Sequence, residues 1–198
     1  MKKIITSIAL LIIINGYAQT YDIIDMALHK NLPGTYFKDI DNRLNAYEGT
    51  WIYVNGNKSL KFVFVKKENL SNGIGKEDVL IGGYEYKVDG VTLVSTLPDI
   101  DVVYNNYIKH KVYGNSLYRN SFMQCLDCVP GEFRLFMAFG EPASHLPGRL
   151  IMRRINIGAQ QTIKMVLYMS GSVLYNEGDP EPPNDFVLPC GTYTLVKK

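Results

Sequence analysis

Hydrophobic and polar residues alternate with a period of two along most of the chain, and this is the period of a half-buried β-strand. The clearest example is the segment 58–67, whose apolar residues fall on one face. The apolar segment 49–54 precedes it, and Asn55-Gly56-Asn57 separates the two. Because an Asn-Gly pair between apolar runs is a strong tight-turn signal, the sequence predicts a β-hairpin here. The residues on the apolar face of its second strand are Leu60, Phe62 and Phe64.

The same alternation predicts further strands along the rest of the chain. Asp89-Gly90 indicates a second hairpin turn, and the region 98–131 is less regular, with short edge strands predicted near 102–104 and 109–113. Polar loops rich in glycine or proline are predicted at 69–76, 140–148 and 178–185. The remaining predicted strands are 77–88, 91–97, 132–139, 149–157, 161–169 and 192–197.

Helical spacing occurs near the N-terminus. Residues 39–47 predict a short helix, because Ile40, Leu44 and Tyr47 recur at helical intervals and Asp39 or Asp41 can cap it. The segment 20–30 predicts either a short amphipathic helix or an ordered N-terminal arm. No long helix pattern follows, so helices are a minor part of the expected fold.

About eight to ten strands with short connections predict an all-β, mainly antiparallel domain. Open sheet edges invite aggregation, so chains of this kind usually close into a barrel or pack as two sheets. We therefore expect an up-and-down β-barrel of about eight to ten strands with a short N-terminal helix, and a β-sandwich is the alternative.

The segment 42–51 places the predicted helix directly before Gly49-Thr50-Trp51. This order resembles the N-terminal Gly-x-Trp signature of lipocalin-like (calycin) barrels, and the wider segment 36–68 resembles small secreted flavobacterial proteins of unassigned function. The resemblance implies that the helix plugs one end of a barrel and that Trp51 lies at the base of the first strand. It also implies a basic side chain over the indole, with Lys197 or Lys198 as the nearest counterpart. Ordinary core packing of Trp51 is the alternative.

The N-terminus has the order of a secretory signal peptide. Lys2 and Lys3 precede an apolar run over residues 4–14, and the small residues of Gly16-Tyr17-Ala18 suit a signal peptidase. The run is too short to cross a bilayer comfortably, although an uncleaved anchor is the alternative. We therefore predict a signal peptide at 1–18, one barrel-like domain at 19–198, no stable membrane span after cleavage, and a secreted or periplasmic location.

The predicted mature chain is electrically neutral. Lys2 and Lys3 account for the formal net charge of +2, so residues 19–198 carry as many acidic as basic side chains. A neutral chain lacks the basic footprint of nucleic-acid binding, so we predict no nucleic-acid partner. The sequence does not identify a protein partner.

The three cysteines are Cys125, Cys128 and Cys190. An oxidising compartment favours one disulfide and one remaining thiol, and the sequence leaves the pairing open between Cys125–Cys128 and Cys128–Cys190. Redox or zinc chemistry at the CxxC is the less favoured alternative, because a Val129-Pro130-Gly131 turn follows it and no second ligand pair accompanies it.

The sequence shows no catalytic constellation. His29, His110 and His145 are isolated from one another, and no serine lies in a nucleophile motif. We therefore predict a protein that is not an enzyme, with no metal site and no cofactor. The adjacent residues Arg153 and Arg154 must point to opposite faces of a strand, which predicts a structural ion pair, with anion binding inside the barrel as the alternative.

Two binding modes fit this expected fold. In the first, the barrel binds a small apolar or amphipathic ligand, because an eight-stranded barrel has room for one small ligand. In the second, a structural or partner-binding β domain uses a tyrosine-rich surface that includes Tyr104, Tyr107, Tyr113 and Tyr118. The predicted interior ligand contacts are Phe62, Phe64, Tyr84, Tyr86, Phe133, Leu135 and Met137.

Overall fold

A computed structural model describes residues 19–29, 33–119, 125, 127–142, 144, 146–172, 178 and 183–198. The predicted signal peptide, His145 and residues 179–182 of the predicted proline loop lie outside these residues. Short 3-10 helices occur at Ile23–Asp25, Arg43–Ala46, Leu97–Asp101 and Tyr107–Lys109. The other elements are β1 (Thr20–Asp22), α1 (Met26–His29), β2 (Tyr36–Lys38), β3 (Gly49–Asn55), β4 (Lys58–Ser71), β5 (Lys76–Val88), β6 (Val91–Ser95), β7 (Val112–Arg119), β8 (Phe133–Gly140), β9 (Pro147–Arg154), β10 (Thr162–Met169) and β11 (Gly191–Lys197).

Eight strands form a closed barrel. β3, β4, β5, β7, β8, β9, β10 and β11 pair in that order, every pair is antiparallel, and β11 returns to pair with β3. The prediction of an all-β, lipocalin-like, up-and-down barrel with a short N-terminal helix is therefore confirmed. Closure excludes the β-sandwich alternative, because the strands form one continuous ring and not two separate sheets.

One edge of β5 serves three partners in succession. β2 pairs with its first residues, β7 with Leu80–Gly82, and β6 with its last residues. The β5–β6 hairpin turns at Asp89-Gly90, where both residues have positive φ, as a two-residue hairpin turn requires. The middle of the long strand β5 therefore pairs with β7 and closes the barrel, while β2 and β6 pair with its two ends.

The irregular middle of the chain differs from the prediction. Residues 102–104 are not a strand. A 3-10 helix at Leu97–Asp101 precedes them, and Pro98 lies in its first turn, where the missing N–H costs no hydrogen bond. The edge strand predicted at 109–113 is instead the start of β7, which begins at Val112 and forms part of the barrel wall. The predicted loop 69–76 is shorter, because β4 continues through a bulge to Ser71.

A 3-10 helix caps the lower end of the barrel, which we define as the end where β3 begins. Asp39 caps this helix as predicted: its carboxylate accepts the backbone N–H groups of Arg43 at 2.8 Å and Leu44 at 2.9 Å. Leu44 is fully buried under the barrel, but Ile40 is 54% exposed, so the helix is shorter than predicted. No helix among the described residues is long and apolar enough to cross a membrane.

Candidate functional site

The predicted interior residues form one core inside the barrel. Phe62, Phe64 and Tyr84 are at most 1% exposed, and their rings stack with centroids 5.4 Å apart. Leu135 and Met137 are equally buried, and all five belong to one continuous apolar cluster. Because almost none of their surface is accessible to water, no water-sized cavity borders these side chains, and they fill the space between them.

The other two predicted contacts lie nearer the ends of the barrel. Tyr86 is 4% exposed and belongs to the same cluster in the upper half. Phe133 is half-buried at the lower end, where the guanidinium groups of Arg43 and Arg119 lie 5.4 and 5.2 Å from its ring centroid. Phe133 therefore contacts the end plug and two cations, in addition to the core.

The lower end of the barrel is built around Trp51. Its indole Nε1 donates to the carbonyl oxygen of Tyr47 at 2.7 Å, and the Nζ of Lys197 lies 5.5 Å from the ring centroid. Gly49 has a φ of +115°, and a Cβ there would lie 2.9 Å from Cε of Lys197. Glycine at this position therefore lets the lysine cross the strand and cover the tryptophan.

The upper end is closed by the segment that precedes β11. Phe186 and Leu188 are buried in the core, and the ring of Phe186 contacts that of Phe139 at 5.1 Å. Glu141 is 2% exposed and anchors this segment by accepting the backbone N–H groups of Val187 at 2.6 Å and Leu188 at 3.1 Å. The same carboxylate accepts the hydroxyl of the interior Tyr84 at 2.9 Å, so both ends of the barrel are sealed by core contacts.

A pocket of about 510 Å³ lies on the outer wall of the barrel, and we call it the outer pocket. The outward faces of β7, β8, β9 and β10 form its floor, and residues from α1, the β4–β5 turn and the Tyr107–Lys109 turn form its side. Its lining combines five aromatic residues with aliphatic residues, neutral polar groups, one arginine and the carboxylate residue Glu77. The residues that line it include Tyr107, Tyr113, Tyr118, Phe136, Ala138, Arg149 and Tyr168.

Aromatic contacts and a buried carboxylate shape the outer pocket. The rings of Tyr107 and Tyr113 meet edge to face at 5.5 Å. Glu77 is 5% exposed and accepts the hydroxyl of Tyr107 at 2.6 Å and the side-chain amide of Asn115 at 2.8 Å. Burial and the carboxylate both raise the pKa of Tyr107. Burial also raises the pKa of Tyr113, and the nearby Arg149 guanidinium opposes this shift, so the tyrosines remain neutral hydroxyl donors.

The predicted tyrosine-rich surface is partly this pocket. Tyr107, Tyr113 and Tyr118 line it, whereas the hydroxyl of Tyr104 donates to Asp99 at 2.9 Å and lies apart from it. Sequence analysis missed Phe136 and Tyr168, which line the pocket with them. Alternation places Phe136 on the outward face of β8, between the predicted inward residues Leu135 and Met137, but this position alone does not indicate a pocket.

The cysteines pair within the CxxC. Cys125 and Cys128 form a disulfide, and Cys190 is an exposed free thiol, so the alternative Cys128–Cys190 bridge is wrong. The carboxylate of Asp127, between the paired cysteines, binds the guanidinium of Arg153 at 2.7 Å and the Nζ of Lys164 at 2.6 Å. The Lys164 hydrogen bond is the largest influence lowering the pKa of this carboxyl.

The same loop supplies the structural ion pair predicted for the adjacent arginines. Arg153 also binds Glu132 at 3.0 Å, whereas Arg154 donates to the side chain of Asn156 at 3.1 Å. Cys125, Asp127 and Cys128 are close enough to resemble a metal site, but the disulfide consumes both sulfurs. Ion pairs to Arg153 and Lys164 thus hold the loop on the barrel wall, and the disulfide closes a short turn within the loop.

Comparison with known proteins gives a family and no function. No curated protein and no solved structure matches the chain. One family model, described as a family of unknown function (DUF6705), matches residues 1–198. Because the match covers the whole sequence, the chain belongs to this family of unknown function, DUF6705.

Proposed function

We propose that the protein is an exported, non-catalytic, lipocalin-like binding protein that holds a small amphipathic ligand in the outer pocket. The observation that carries the proposal is the outer pocket itself. Its volume of about 510 Å³ lies within the range of about 300–1,000 Å³ that small-molecule sites occupy. Its aromatic and aliphatic side chains beside polar groups suit a ligand that is itself amphipathic.

The state of the barrel interior supports an outer site over an inner one. The side chains predicted to line an inner cavity are packed against one another, and Phe186 and Leu188 close the upper end above them. An interior ligand would need these contacts to open, at the cost of the stability that burial of this apolar surface contributes. The outer pocket is already open in this structure, so binding there needs no rearrangement of the core.

Two further features support a lipocalin-like protein that is exported. The plug at Leu44 and the Lys197–Trp51 contact match what the Gly-x-Trp resemblance implies. The order of residues 1–18 suits a signal peptide, and a disulfide in the barrel-wall loop suits an oxidising compartment.

The proposal can be tested with an uncharged fluorescent probe, N-phenyl-1-naphthylamine, titrated into the protein purified after export by a host cell. Ala138→Phe places a large ring on the floor of the outer pocket at an outward, half-buried strand position. We expect this variant to weaken probe binding at least about tenfold, which corresponds to about 1.4 kcal/mol. Phe62→Leu is the matched interior control, because it creates space inside the barrel on β4, a strand that contributes no residue to the floor of the outer pocket.

The two variants distinguish binding in the outer pocket from binding inside the barrel. Loss of binding in Ala138→Phe with unchanged binding in Phe62→Leu supports the outer pocket. If Ala138→Phe leaves the probe affinity unchanged and Phe62→Leu raises it, the ligand binds inside the barrel and the proposal is overturned. If the wild-type protein binds no probe, the tyrosines of the outer wall are better explained as a surface for a protein partner.

A further inference from the structure

We propose that the ligand is an amphipathic anion, whose acidic group is bound at the barrel rim by Lys111, Arg149 and the protonated imidazole of His110. This inference rests on the proposed function, because the apolar part of the same ligand occupies the outer pocket. It adds the chemical class of the ligand and a dependence of binding on pH.

A second pocket of about 370 Å³ adjoins the outer pocket, and we call it the rim pocket. It lies between the start of β7, the end of β8 and the start of β9. Tyr113, Ala138 and Arg149 line both pockets, so the two form a continuous groove. One molecule can therefore contact the aromatic floor of one pocket and the polar wall of the other.

The described lining of the rim pocket carries more positive than negative charge. The side chains of Lys111 and Arg149 line it, and neither forms an ion pair with any residue that the structure describes. Lys109 adds a third cation at the same rim. An anion entering here gains charge-assisted hydrogen bonds and displaces no existing partner.

The acidic groups at the rim are already occupied. Both oxygens of Glu141 accept hydrogen bonds from Tyr84 and from the segment 187–188. Asp99 accepts from the hydroxyl of Tyr104 through one oxygen and from the backbone N–H of Lys111 through the other, at 2.7 Å. Both carboxylates are thus occupied by other donors, and among the described residues neither forms an ion pair with Lys111 or Arg149.

His110 gives the rim pocket a donor that depends on protonation. It is 7% exposed, and its Nδ1 lies 2.9 Å from the backbone carbonyl of Asp99 and 3.3 Å from the Asp99 carboxylate. Since a carbonyl oxygen can only accept, Nδ1 carries the proton of the neutral ring. The other nitrogen, Nε2, has no hydrogen-bond partner among the described residues, and the ring lines the rim pocket.

The tautomer determines the direction of the pH effect. Neutral His110 presents a lone pair at Nε2, which repels an anion, whereas the imidazolium donates from both nitrogens. The titratable and charged groups around the ring are Tyr104, whose ring meets the imidazole edge to face at 4.8 Å, the carboxylates of Asp99 and Glu141, and the cations Lys109, Lys111 and Arg149. A bound anion screens those cations, so ligand binding and proton uptake reinforce each other.

The test compares two dyes that share a ring system. 8-Anilinonaphthalene-1-sulfonate is N-phenyl-1-naphthylamine with an added sulfonate, so the ratio of their affinities reports the anion site alone. We expect the sulfonate dye to bind the wild-type protein at least about tenfold more tightly at about pH 6. Lys111→Gln and Arg149→Gln should each reduce that ratio about three- to tenfold. Lys58→Gln, on the exposed far side of the barrel, should leave the ratio unchanged.

A pH series separates the role of His110 from that of the permanent cations. The affinity ratio should rise as the pH falls, because protonation of His110 adds a donor and a positive charge at the rim. His110→Gln should make the ratio independent of pH, while the uncharged dye confirms that the outer pocket is intact. A flat wild-type profile, or a profile that persists in His110→Gln, contradicts the role of His110.

The two proposals fail in different ways. Equal affinities for both dyes, or a ratio unaffected by Lys111→Gln and Arg149→Gln, overturn the anion site and leave the outer pocket as a site for neutral ligands. If neither dye binds the wild-type protein, the proposed function falls together with the anion site.

Discussion

Glu141→Gln tests how the upper end of the barrel is held closed. The carboxylate is buried, and no described residue forms an ion pair with it. Its charge is stabilised by three donors: the hydroxyl of Tyr84 and the backbone N–H groups of Val187 and Leu188. Glutamine keeps the size and shape of the side chain but replaces one acceptor oxygen with an NH2 group.

Neither orientation of the glutamine amide satisfies all three donors. If the NH2 replaces Oε2, it faces the backbone N–H of Val187, and if it replaces Oε1, it faces that of Leu188. One buried backbone donor is then unpaired, at about 1–3 kcal/mol, and the remaining bonds lose their charge assistance. The neutral glutamine avoids the cost of burying a charge, which offsets part of this loss. We therefore expect the free energy of unfolding to fall by about 2–4 kcal/mol.

Two measurements test this expectation. Urea unfolding followed by the fluorescence of Trp51, the single tryptophan at the opposite end, reports the global loss. Hydrogen exchange of the Val187 and Leu188 amides reports local opening, and we expect it to accelerate about 30-fold or more. Tyr84→Phe is the matched control, because it removes one donor and leaves both backbone N–H groups paired. A glutamine variant within about 0.5 kcal/mol of wild type, with unchanged exchange at both amides, would refute this account of the closure.

Three further predictions concern other parts of the barrel. Burial raises the pKa of Tyr193 to about 12. The stability contributed by its neutral hydroxyl is therefore complete below about pH 10 and is lost between about pH 10 and about pH 12. Urea unfolding at a series of pH values should show a constant free energy of unfolding that declines over this range. Lys197→Met removes the cation over Trp51 and should lower the free energy of unfolding by about 0.5–2 kcal/mol in the same assay, whereas Lys197→Arg should retain most of it. Replacing Cys125 and Cys128 with serine opens a very short loop and should lower the free energy of unfolding by at most about 2 kcal/mol. The circular dichroism spectrum should be unchanged, and loss of the fold would contradict a role of the disulfide that is confined to this loop.

The inward face of the barrel was predictable because alternation specifies it directly. Leu60, Phe62 and Phe64 of β4 are all buried, and the strand that pairs with them places Tyr84 and Tyr86 opposite. Hydrophobic alternation carries this information since a shift of one residue would expose the whole set. The plug was predictable for a related reason, because a capping aspartate and helical spacing coincide at Asp39 and Leu44.

The outer pocket was not predictable from the same pattern. Tyr113, Phe136 and Tyr168 lie far apart in the sequence and come together only when β7, β8, β9 and β10 pair in a particular register. Each is outward, and an outward aromatic residue in a single strand indicates no more than a half-exposed position. The barrel closure between β11 and β3 is likewise a long-range pairing that no local signal specifies.

The packed interior and the outer pocket depend on each other through the same strands. On β8, the outward Phe136 lies between the inward residues Leu135 and Met137, which are fully buried in the core. Core side chains that fit closely hold the backbone of the wall in one position, and the wall then holds the outward side chains at fixed separations. An empty barrel would offer a binding cavity but a more mobile wall, whereas a filled barrel offers a rigid outer face. The filling that argues against an interior ligand is therefore also what preorganises the pocket outside it.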